Sequence, residues 1–354
     1  MAGGVGSRFW PMSRTNKPKQ FLDILGTGET LLQATYRRFL KICPKENIVV
    51  VTNEAYKSHV EKQLPDISGQ QILLESARKN TAPCISYAVN KIGKINQDAT
   101  IIVTPADHLI TREDDFVTAI NSCVRKARLK DCLLTIGIKP SRPDTGYGYI
   151  QYLDDNVCEF DNKIKPVKTF TEKPNLELAK SFLESGDFLW NAGIFVFSYS
   201  SIKKAFKQHL PEVDNIFEDG KDKYFTDQEE DFIKNAYLIS PNISIDYGLM
   251  EKASNVYVRA SVIGWSDLGT WGSMFEQMTK NAEKNSISGK NVMLYNTKNS
   301  LVKTPNEKLV VIEGLENYIV VENDGMLLIC SMENEQLIKT MVNDIQAQKG
   351  EKYI

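Results

Sequence analysis

The first twenty residues, MAGGVGSRFWPMSRTNKPKQ, combine a permissive backbone with positive charge. Gly3, Gly4 and Gly6 have no Cβ atom, so backbone N–H groups at these positions can approach an anion closely. Four basic residues then follow within a short stretch: Arg8, Arg14, Lys17 and Lys19. A turn with free N–H donors next to this much charge is suited to binding a polyphosphate.

The spacing of these glycines argues against two common nucleotide-binding loops. A dinucleotide-binding loop has the pattern G-x-G-x-x-G, and Arg8-Phe9 breaks that pattern here. The chain also lacks the G-x-x-x-x-G-K-[ST] sequence of a P-loop. An NAD-linked oxidoreductase is therefore disfavoured.

A second group of candidate residues comes at the end of ATIIVTPAD (99–107), an apolar run typical of a buried strand. Pro105, Asp107 and His108 lie just past the apolar part of this run. In open α/β sheets, ligands bind outside the carboxyl ends of the strands. We therefore expect this turn to lie at a ligand site.

The elements that must position these residues alternate between strand and helix patterns. Three β-rich runs are predicted as strands: 47–52, 99–107 and 132–140. Apolar residues recur at helical spacing in two segments: 31–43 and 114–127. This alternation predicts a doubly wound, Rossmann-like α/β domain with a mixed, mostly parallel sheet.

The glycine loop should follow a first strand, yet only Met1 and Ala2 precede Gly3. We expect that residues 1–4 form a stub of that strand and that a few upstream apolar residues are missing. Beyond about residue 280 the sequence changes to short β runs punctuated by Gly and Asn, with a final helical segment at 334–348. The predicted division is a catalytic domain at 1–280 and a small β-rich C-terminal domain at 281–354, ending in a helix.

Composition limits the classes of function. The 354 residues are 42% hydrophobic and 25% charged, with a net charge of −2, which argues against a nucleic-acid or membrane-surface binder. No apolar run approaches the roughly 18 residues that a membrane span needs. The six cysteines form no CxxC pair, and the three histidines have no zinc-ligand spacing with them. Free thiols in a reducing cytoplasm are the expected state.

The opening segment GGVGSRFWPMSRTNKPKQF resembles the signature loop of the sugar-1-phosphate nucleotidylyltransferase family. Its Phe-Trp-Pro and Pro-Lys-Gln-Phe pieces are similar to the mannose-1-phosphate guanylyltransferase branch. Further motifs of the family follow in order: ESARKNTAPCI, TPADHLI, DTGYGYIQ, FTEKPN, WNAGIFVF, SIDYGLMEKA and GWSDLGTW. The resemblance covers roughly residues 1 to 275, and the C-terminal β unit resembles the same branch.

The resemblance implies that GTP and mannose 1-phosphate give GDP-mannose and pyrophosphate, with Mg²⁺ as cofactor. A sugar phosphate has its second pKa near ~6, so its oxygen is already an anionic nucleophile at neutral pH and needs no general base. The reaction instead requires neutralisation of charge as a dianion approaches a triphosphate. The resemblance also implies a homodimer, and neither nucleic acid nor membrane is an expected partner.

Roles for individual residues come from the matching motifs. Arg8, Lys19, Asp107 and Lys173 are expected to carry the chemistry. The nucleotide-binding set is Gly3, Gly4, Gly6, Ser7, Arg8, Lys19, Glu75, Asn80, Thr81 and Asp107. The sugar-phosphate set is Gly146, Glu172, Lys173 and Asn191. Asp107 and Asp267 are the expected metal ligands, because Mg²⁺ takes one or two carboxylates with phosphate oxygens and water.

Two local expectations accompany these roles. Lys173 precedes a proline, which favours an extended backbone. Asn191 lies in an otherwise apolar strand, and a buried amide without a partner is costly, so we expect it to reach a ligand hydroxyl.

Several assignments have alternatives. Asn80 and Thr81 are explained equally well by a helix start with Thr81 as its cap, and Asp246 either orients the site or caps a helix. Lys79 stands where the family usually has Arg, which puts any bidentate contact there in doubt. For the whole chain, the alternatives are another nucleotide or hexose 1-phosphate, or a catalytically inactive nucleotide-sugar-binding regulatory subunit.

Overall fold

The computed structural model describes residues 1–155 and 158–354. The chain forms two compact units, and neither is continuous in sequence. The first unit contains Met1–Gly3, Tyr36–Pro105 and Ile110–Trp265, and the second contains Gly4–Thr35, Ala106–Leu109 and Ser266–Ile354. The boundary predicted at residue 280 does not coincide with this division, because the glycine loop shares a hydrophobic core with C-terminal residues such as Trp271 and Leu301.

The helices of the described residues are α1 Leu31–Phe39, α2 Lys57–Gln63, α3 Thr81–Ile95, α4 Glu113–Leu129, α5 Leu176–Ser185, α6 Tyr199–His209, α7 Pro211–Glu218, α8 Glu229–Ile239, α9 Trp271–Gln277 and α10 Ile338–Lys349. Short 3₁₀ helices include Ser7–Phe9, Lys19–Phe21 and Met332–Leu337, and a π-helical turn covers Asp246–Met250. Among the described helices, none combines the length and the apolar character that crossing a membrane requires.

The strands are β1 Val50–Asn53, β2 Ile72–Glu75, β3 Thr100–Val103, β4 Leu109–Ile110, β5 Leu133–Ile138, β6 Tyr149–Tyr152, β7 Ile164–Thr171, β8 Phe188–Ser198, β9 Val256–Ser261, β10 Trp265–Ser266, β11 Ser286–Ser288, β12 Val292–Tyr295, β13 Leu301–Lys303, β14 Val310–Glu313, β15 Tyr318–Asn323 and β16 Met326–Ser331. Helices and strands alternate through the first unit, which confirms the α/β class.

The main sheet of the first unit has the strand order β3-β8-β5-β9-β7-β6. The mixed character is confirmed, but the expectation of mostly parallel pairing is wrong for this sheet. Only β5 and β9 pair in parallel, while β8 runs antiparallel to its neighbours β3, β5 and β6. The apolar run LWNAGIFVF in β8 predicts burial, but strand direction depends on which strands β8 pairs with, and those pairings are set by tertiary contacts.

The first residues lie at the strands of this unit. The N–H of Ala2 donates to the carbonyl oxygen of Val51 in β1 at 2.8 Å, and the hydroxyl of Thr52 donates to the carbonyl oxygen of Ala2 at 2.8 Å. The terminal amine of Met1 reaches the carbonyl oxygen of Thr104, just past β3, at 2.8 Å. Residues 1–6 are not assigned to a strand, so the predicted stub amounts to these backbone contacts.

In the second unit, β11, β13 and β15 pair in parallel, and β16 closes this sheet antiparallel to β15. Residues that lie opposite each other on neighbouring parallel strands are close in sequence: Ser286 lies opposite Leu301, and Leu301 lies opposite Ile319. Parallel strands joined by such short connections form the successive coils of a solenoid. The predicted β-rich C-terminal region with a terminal helix is therefore present as β11–β16 followed by α10.

Candidate active site

The glycine loop turns sharply at Gly6, where φ is 72° and ψ is 40°. A Cβ atom built on Gly6 would lie 2.6 Å from the Cβ atom of Lys19. Any other residue there would therefore be strained in its backbone and would also clash. The N–H of Lys19 donates to the carbonyl oxygen of Val5 at 3.1 Å, which holds Lys19 against the loop.

Lys19 is a buried cation, with 3% of its surface exposed. Its Nζ lies 2.8 Å from Asp107 Oδ2 and donates to the carbonyl oxygens of Asp267 at 2.8 Å and Leu268 at 3.1 Å. Burial opposes ionisation of the Asp107 carboxyl, but the adjacent Lys19 charge outweighs this and lowers the pKa of Asp107. Two predicted metal-ligand residues that are distant in sequence thus contact one ammonium group.

Asp107 and Asp267 supply carboxylates, the type of ligand that a divalent cation takes together with phosphate oxygens. The Asp107 side chain is 30% exposed, so its carboxylate is accessible to a ligand. One oxygen of Asp267 accepts the N–H of Gly269 at 2.9 Å, which orients that carboxylate. Within residues 1–155 and 158–354, no three His, Cys, Asp or Glu side chains gather around a common point. Magnesium characteristically takes one or two carboxylates together with substrate oxygens.

The other cations of the opening segment differ in their surroundings. Arg8 is exposed and makes no hydrogen bond or ion pair with the described residues. Arg14 forms an ion pair with Asp324. His108 lies with Nε2 3.8 Å from Asp107 Oδ1, next to the carboxylate and not in a nucleophile–base pair. Arg8 is thus a cation of the loop that remains available to an anion.

In the first unit, Glu172 and Lys173 are joined by an ion pair at the end of β7. The Glu172 side chain is only 7% exposed, whereas that of Lys173 is 58% exposed. The predicted extended backbone at Lys173 is wrong, because its φ is 48°. Neighbouring side chains of an extended strand point to opposite faces, so the left-handed turn is what allows these two adjacent side chains to meet.

Asn191 and Asp246 form a polar pair close to this ion pair. The Asn191 amide donates to Asp246 Oδ1 at 2.9 Å, and its oxygen accepts the hydroxyl of Thr135 at 2.9 Å and the N–H of Gly193 at 3.1 Å. Protein partners therefore satisfy this amide oxygen, so burial alone does not require a ligand there. Burial and the nearby Glu172 charge raise the pKa of Asp246 to about 6.

The alternative role of Asp246 as a helix cap is not supported. The π-helical turn at Asp246–Met250 has Ile245 as its N-cap residue, and no side chain caps it. The Asp246 carboxylate instead accepts the Asn191 amide. Asp246 thus orients a predicted sugar-phosphate residue, which the sequence alone did not decide.

Glu75 ends β2 as a buried carboxyl with 8% of its surface exposed. It accepts the hydroxyl of Tyr237 at 3.0 Å, and a Cβ atom built on Gly3 would lie 3.2 Å from its other oxygen. Two residues of the predicted nucleotide set, Gly3 and Glu75, therefore lie side by side. Burial raises the pKa of Glu75 to about 7, although the hydrogen bond from Tyr237 acts in the opposite direction.

This raised pKa predicts how stability depends on pH. Between pH 4.5 and about 7 the unfolded chain ionises at Glu75 while the folded protein retains the proton, so stability falls as pH rises. Glu75→Gln removes this effect. Wild type loses this stability as pH rises and the variant does not. The free energy of unfolding of the variant minus that of wild type is therefore expected to be about 1–3 kcal/mol higher at pH 8 than at pH 5.

Urea unfolding at both pH values measures this difference. Glu61→Gln, at an exposed position of α2 in the same unit, is the control and is expected to show no change between the two pH values. The prediction would be contradicted if the free energy of unfolding of Glu75→Gln differed from that of wild type by the same amount at both pH values.

Asn80, and not Thr81, caps helix α3. The Asn80 side chain accepts the N–H of Thr81 at 3.0 Å, and its φ of 67° is left-handed. The Thr81 hydroxyl instead accepts the N–H of Ile245 at 2.9 Å. Lys79, the departure from the family pattern, donates to the carbonyl oxygen of Leu238 at 3.4 Å. Asn80 and Thr81, which belong to the predicted nucleotide set, therefore each have a structural role, and their contacts with a nucleotide remain predictions.

Some residues that organise these groups were not predicted. Glu251 accepts the N–H of Glu172 at 3.0 Å, and Asp144 accepts the N–H of Gly146 at 2.8 Å. Nothing in the sequence pointed to Glu251, since the contact is between distant segments. Asp144 had a local signal, because an Asp two residues before a glycine often accepts the N–H of that glycine in a turn.

The chain matches the Nucleotidyl transferase family over residues 1–284. It belongs to that family, as the ordered motifs and the charged loop predicted.

Among its relatives, the chain is 36% identical over 360 residues to the mannose-1-phosphate guanylyltransferase of Sinorhizobium fredii (strain NBRC 101917 / NGR234), covering 99% of this chain and 68% of that protein. It is also 36% identical to the mannose-1-phosphate guanylyltransferase of Escherichia coli (strain K12), covering 98% of this chain and 73% of the relative. A solved structure from Thermus thermophilus, described as a mannose-1-phosphate geranyltransferase, superposes with a TM-score of 0.88 at 26% identity over 98% of both chains.

Proposed function

We propose that this protein transfers a guanylyl group from GTP to mannose 1-phosphate, giving GDP-mannose and pyrophosphate. The observation that carries the chemistry is the group formed by Lys19, Asp107 and Asp267 beside the glycine loop. The choice of substrates rests on the two relatives named mannose-1-phosphate guanylyltransferase, which match nearly all of this chain.

An oxygen of the sugar phosphate attacks the α-phosphorus of GTP, and a new O–P bond forms. The bond from the α-phosphorus to the bridging oxygen of the β-phosphate breaks, and pyrophosphate leaves with that electron pair. No side chain has to remove a proton, because a sugar phosphate is largely a dianion at pH 7, with a second pKa of about 6. The protein must instead neutralise the charge that gathers as two anions meet.

Lys19 and Arg8 supply positive charge to the triphosphate. The Lys19 ammonium is held in place by its contacts with Asp107 and with two carbonyl oxygens, so its positive charge stands at a fixed point beside the glycine loop. Arg8 is exposed on the loop and can form a bidentate contact with phosphate oxygens. The backbone N–H groups of Gly4, Gly6 and Ser7 add further donors in the same turn.

Asp107 and Asp267 are the residues that would hold Mg²⁺. When bound, the ion supplies positive charge to phosphate oxygens and orients them. The low pKa of Asp107 keeps this carboxyl ionised and able to bind a cation.

In the sugar-phosphate set, Lys173 binds the phosphate and Glu172 accepts sugar hydroxyls. The exposed Lys173 ammonium is accessible, and the ion pair with the buried Glu172 carboxylate holds it in place. Although burial acts against the charged form, the contact with Glu172 raises the pKa of Lys173, so the ammonium stays charged. Asn191, oriented by Asp246, donates to a sugar hydroxyl, and Gly146 allows the backbone to approach the sugar. Gly3, Glu75, Asn80 and Thr81 are assigned to the nucleotide.

A cytoplasmic location and a homodimer complete the proposal. All six cysteines are free thiols, as expected for a protein kept in a reducing compartment.

The direct test is pyrophosphate release with Mg²⁺ and mannose 1-phosphate, comparing GTP, ATP, UTP and dTTP. Release with GTP at a kcat/KM at least about 10²-fold above the other nucleotides supports the proposal. Release with another nucleotide, or with glucose 1-phosphate in place of mannose 1-phosphate, would keep the reaction and overturn the substrates. Binding of GTP without release would favour a regulatory subunit.

Lys173→Met tests the sugar-phosphate assignment. Removal of this ammonium is expected to raise the KM for mannose 1-phosphate about 10–100-fold, because a charge-assisted contact to phosphate is lost. The KM for GTP should change by less than about twofold, since the nucleotide makes no contact with Lys173 in this assignment. Initial rates with each substrate varied in turn measure both constants.

Lys168→Met is the matched control, because Lys168 is an exposed lysine of the same strand β7. Its constants should equal those of wild type. Equal increases in both KM values for Lys173→Met would place Lys173 outside the sugar-phosphate site.

A further inference from the structure

Arg142 and Asp144 form a charged pair that is tied to the backbone of the loop at 144–148. The Arg142 guanidinium donates to Asp144 Oδ2 from Nη2 at 2.7 Å and from Nε at 3.1 Å. The other carboxylate oxygen of Asp144 accepts the N–H of Gly146 at 2.8 Å. One carboxylate therefore links the arginine to the backbone of Gly146.

Aromatic rings hold the guanidinium in place. Its central carbon lies 5.3 Å from the ring centre of Trp190 and 5.8 Å from that of Tyr147, and Nη2 donates to the Tyr147 hydroxyl at 3.3 Å. Trp190 is 4% exposed and belongs to the long strand β8, so it is a fixed support. Stacking on aromatic faces and a planar fork are properties of arginine that lysine lacks.

The loop at 144–148 is also hydrogen-bonded to residues of the sugar-phosphate set. The carbonyl oxygen of Tyr147 accepts the N–H of Lys173 at 3.2 Å, and that of Gly148 accepts the N–H of Asn191 at 2.8 Å. A Cβ atom built on Gly148 would lie 2.5 Å from Glu172 Oε2, so the loop backbone packs directly on this carboxylate. A shift of the loop would therefore displace Glu172, Lys173 and Asn191 together.

We propose that Arg142 and Asp144 are positioning residues for the sugar phosphate. The pair holds the loop at 144–148 in one conformation, and the loop sets the places of Gly146, Lys173 and Asn191. The inference rests on the proposed function for the identity of the ligand, mannose 1-phosphate. It goes beyond that function by assigning the affinity for the sugar phosphate to an ion pair that does not itself contact the substrate.

Kinetics of a graded set of variants test this role. Asp144→Ala removes the acceptor for both Arg142 and Gly146, and it is expected to raise the KM for mannose 1-phosphate about tenfold while the KM for GTP stays within about twofold. Asp144→Asn keeps an oxygen that accepts the Gly146 N–H, but its amide nitrogen cannot accept from Arg142. Its KM for mannose 1-phosphate should therefore lie between those of wild type and Asp144→Ala. Arg142→Lys loses the fork and the stacking but keeps the bond from Gly146 to Asp144, so its KM for mannose 1-phosphate should also be raised, to less than that of Asp144→Ala.

Asp115→Ala is the matched control, because Asp115 forms an exposed ion pair with Arg112 at 2.7 Å in the same unit. It should leave both KM values unchanged. If Asp144→Ala does not fold, Asp144→Asn and Arg142→Lys still separate the two parts of the pair. An unchanged KM for mannose 1-phosphate in Asp144→Ala, or equal increases for both substrates, would overturn the proposal.

Two readouts do not depend on turnover. Hydrogen exchange of a peptide spanning residues 144–148 should be faster in Asp144→Ala than in wild type and in Asp115→Ala.

Calorimetric titration with mannose 1-phosphate separates failure of the proposal from failure of the proposed function. Wild-type binding without turnover, weakened in Asp144→Ala, refutes guanylyl transfer and supports the positioning role. A wild-type protein that neither turns over nor binds mannose 1-phosphate, with GTP absent or present, overturns both.

Discussion

Asp107→Asn is expected to lower kcat/KM for pyrophosphate release by about 10³-fold. Asparagine keeps the size of the side chain but removes the negative charge that lies 2.8 Å from Lys19 Nζ. A neutral amide oxygen is a poorer ligand for a hard divalent cation than a carboxylate. Because the cation acts on phosphate charge in the transition state, most of the loss should be in kcat.

The measurement is pyrophosphate release at saturating GTP and mannose 1-phosphate over a range of Mg²⁺ concentrations. Asp344→Asn, an exposed carboxylate of α10 in the same unit, is the matched control and should retain wild-type rates. Direct titration with Mn²⁺ is expected to show weaker cation binding only in Asp107→Asn. A folded Asp107→Asn protein with near wild-type rates would contradict the assignment of Asp107.

Lys19→Met is expected to lower kcat by about 10²-fold or more. Methionine is unbranched and flexible, so it can follow the buried path of the lysine side chain without the charge. The Lys19 ammonium contacts Asp107 and the carbonyl oxygens of Asp267 and Leu268, and all three contacts are lost in the variant. Developing charge on the leaving pyrophosphate then has no buried cation to stabilise it.

Lys17→Met is the control for this variant, because Lys17 is exposed and stands only two residues away. It should have wild-type kcat. Lys19→Arg is not expected to rescue activity, since the planar guanidinium of a buried arginine does not direct its donors as the Lys19 ammonium does toward Asp107 and the carbonyl oxygens of Asp267 and Leu268. A Lys19→Met protein with full kcat and a raised KM for GTP would contradict this prediction. It would indicate that Lys19 binds GTP equally in the ground state and the transition state and has no role in the chemical step.

The class of fold was predictable from sequence because it depends on local patterns. Alternation of strand and helix runs predicted an α/β protein, and the change to short Gly- and Asn-punctuated runs predicted the β-rich C-terminal region. The motifs likewise predicted the family, since each carries its chemistry within a few neighbouring residues. The fold class needed only residue type, spacing and order, whereas the family came from the resemblance of these ordered motifs to known ones.

Backbone direction and conformation at particular points were not predictable in this way. The run LWNAGIFVF was recognisable as apolar, but its antiparallel place between β3 and β5 follows from which strands it packs against. Pro174 favours an extended Lys173, yet the contact of Lys173 with Glu172 and the bond of its N–H to Tyr147 select a φ of 48°. Tertiary contacts outweigh a local preference of this size.

The sequence by itself determined which side chains are available: a glycine loop with cations, two aspartates in separate motifs, and a Glu-Lys pair before a proline. Only the tertiary structure decided that Lys19 contacts both Asp107 and a carbonyl oxygen 248 residues away, and that Arg142 reaches the sugar-phosphate set through Asp144. Such contacts depend on how the apolar faces of distant segments pack, as Phe9 packs on Trp271 with ring centres 4.9 Å apart. Burial of those faces is non-directional and nonlocal, so residue spacing along the chain does not encode it.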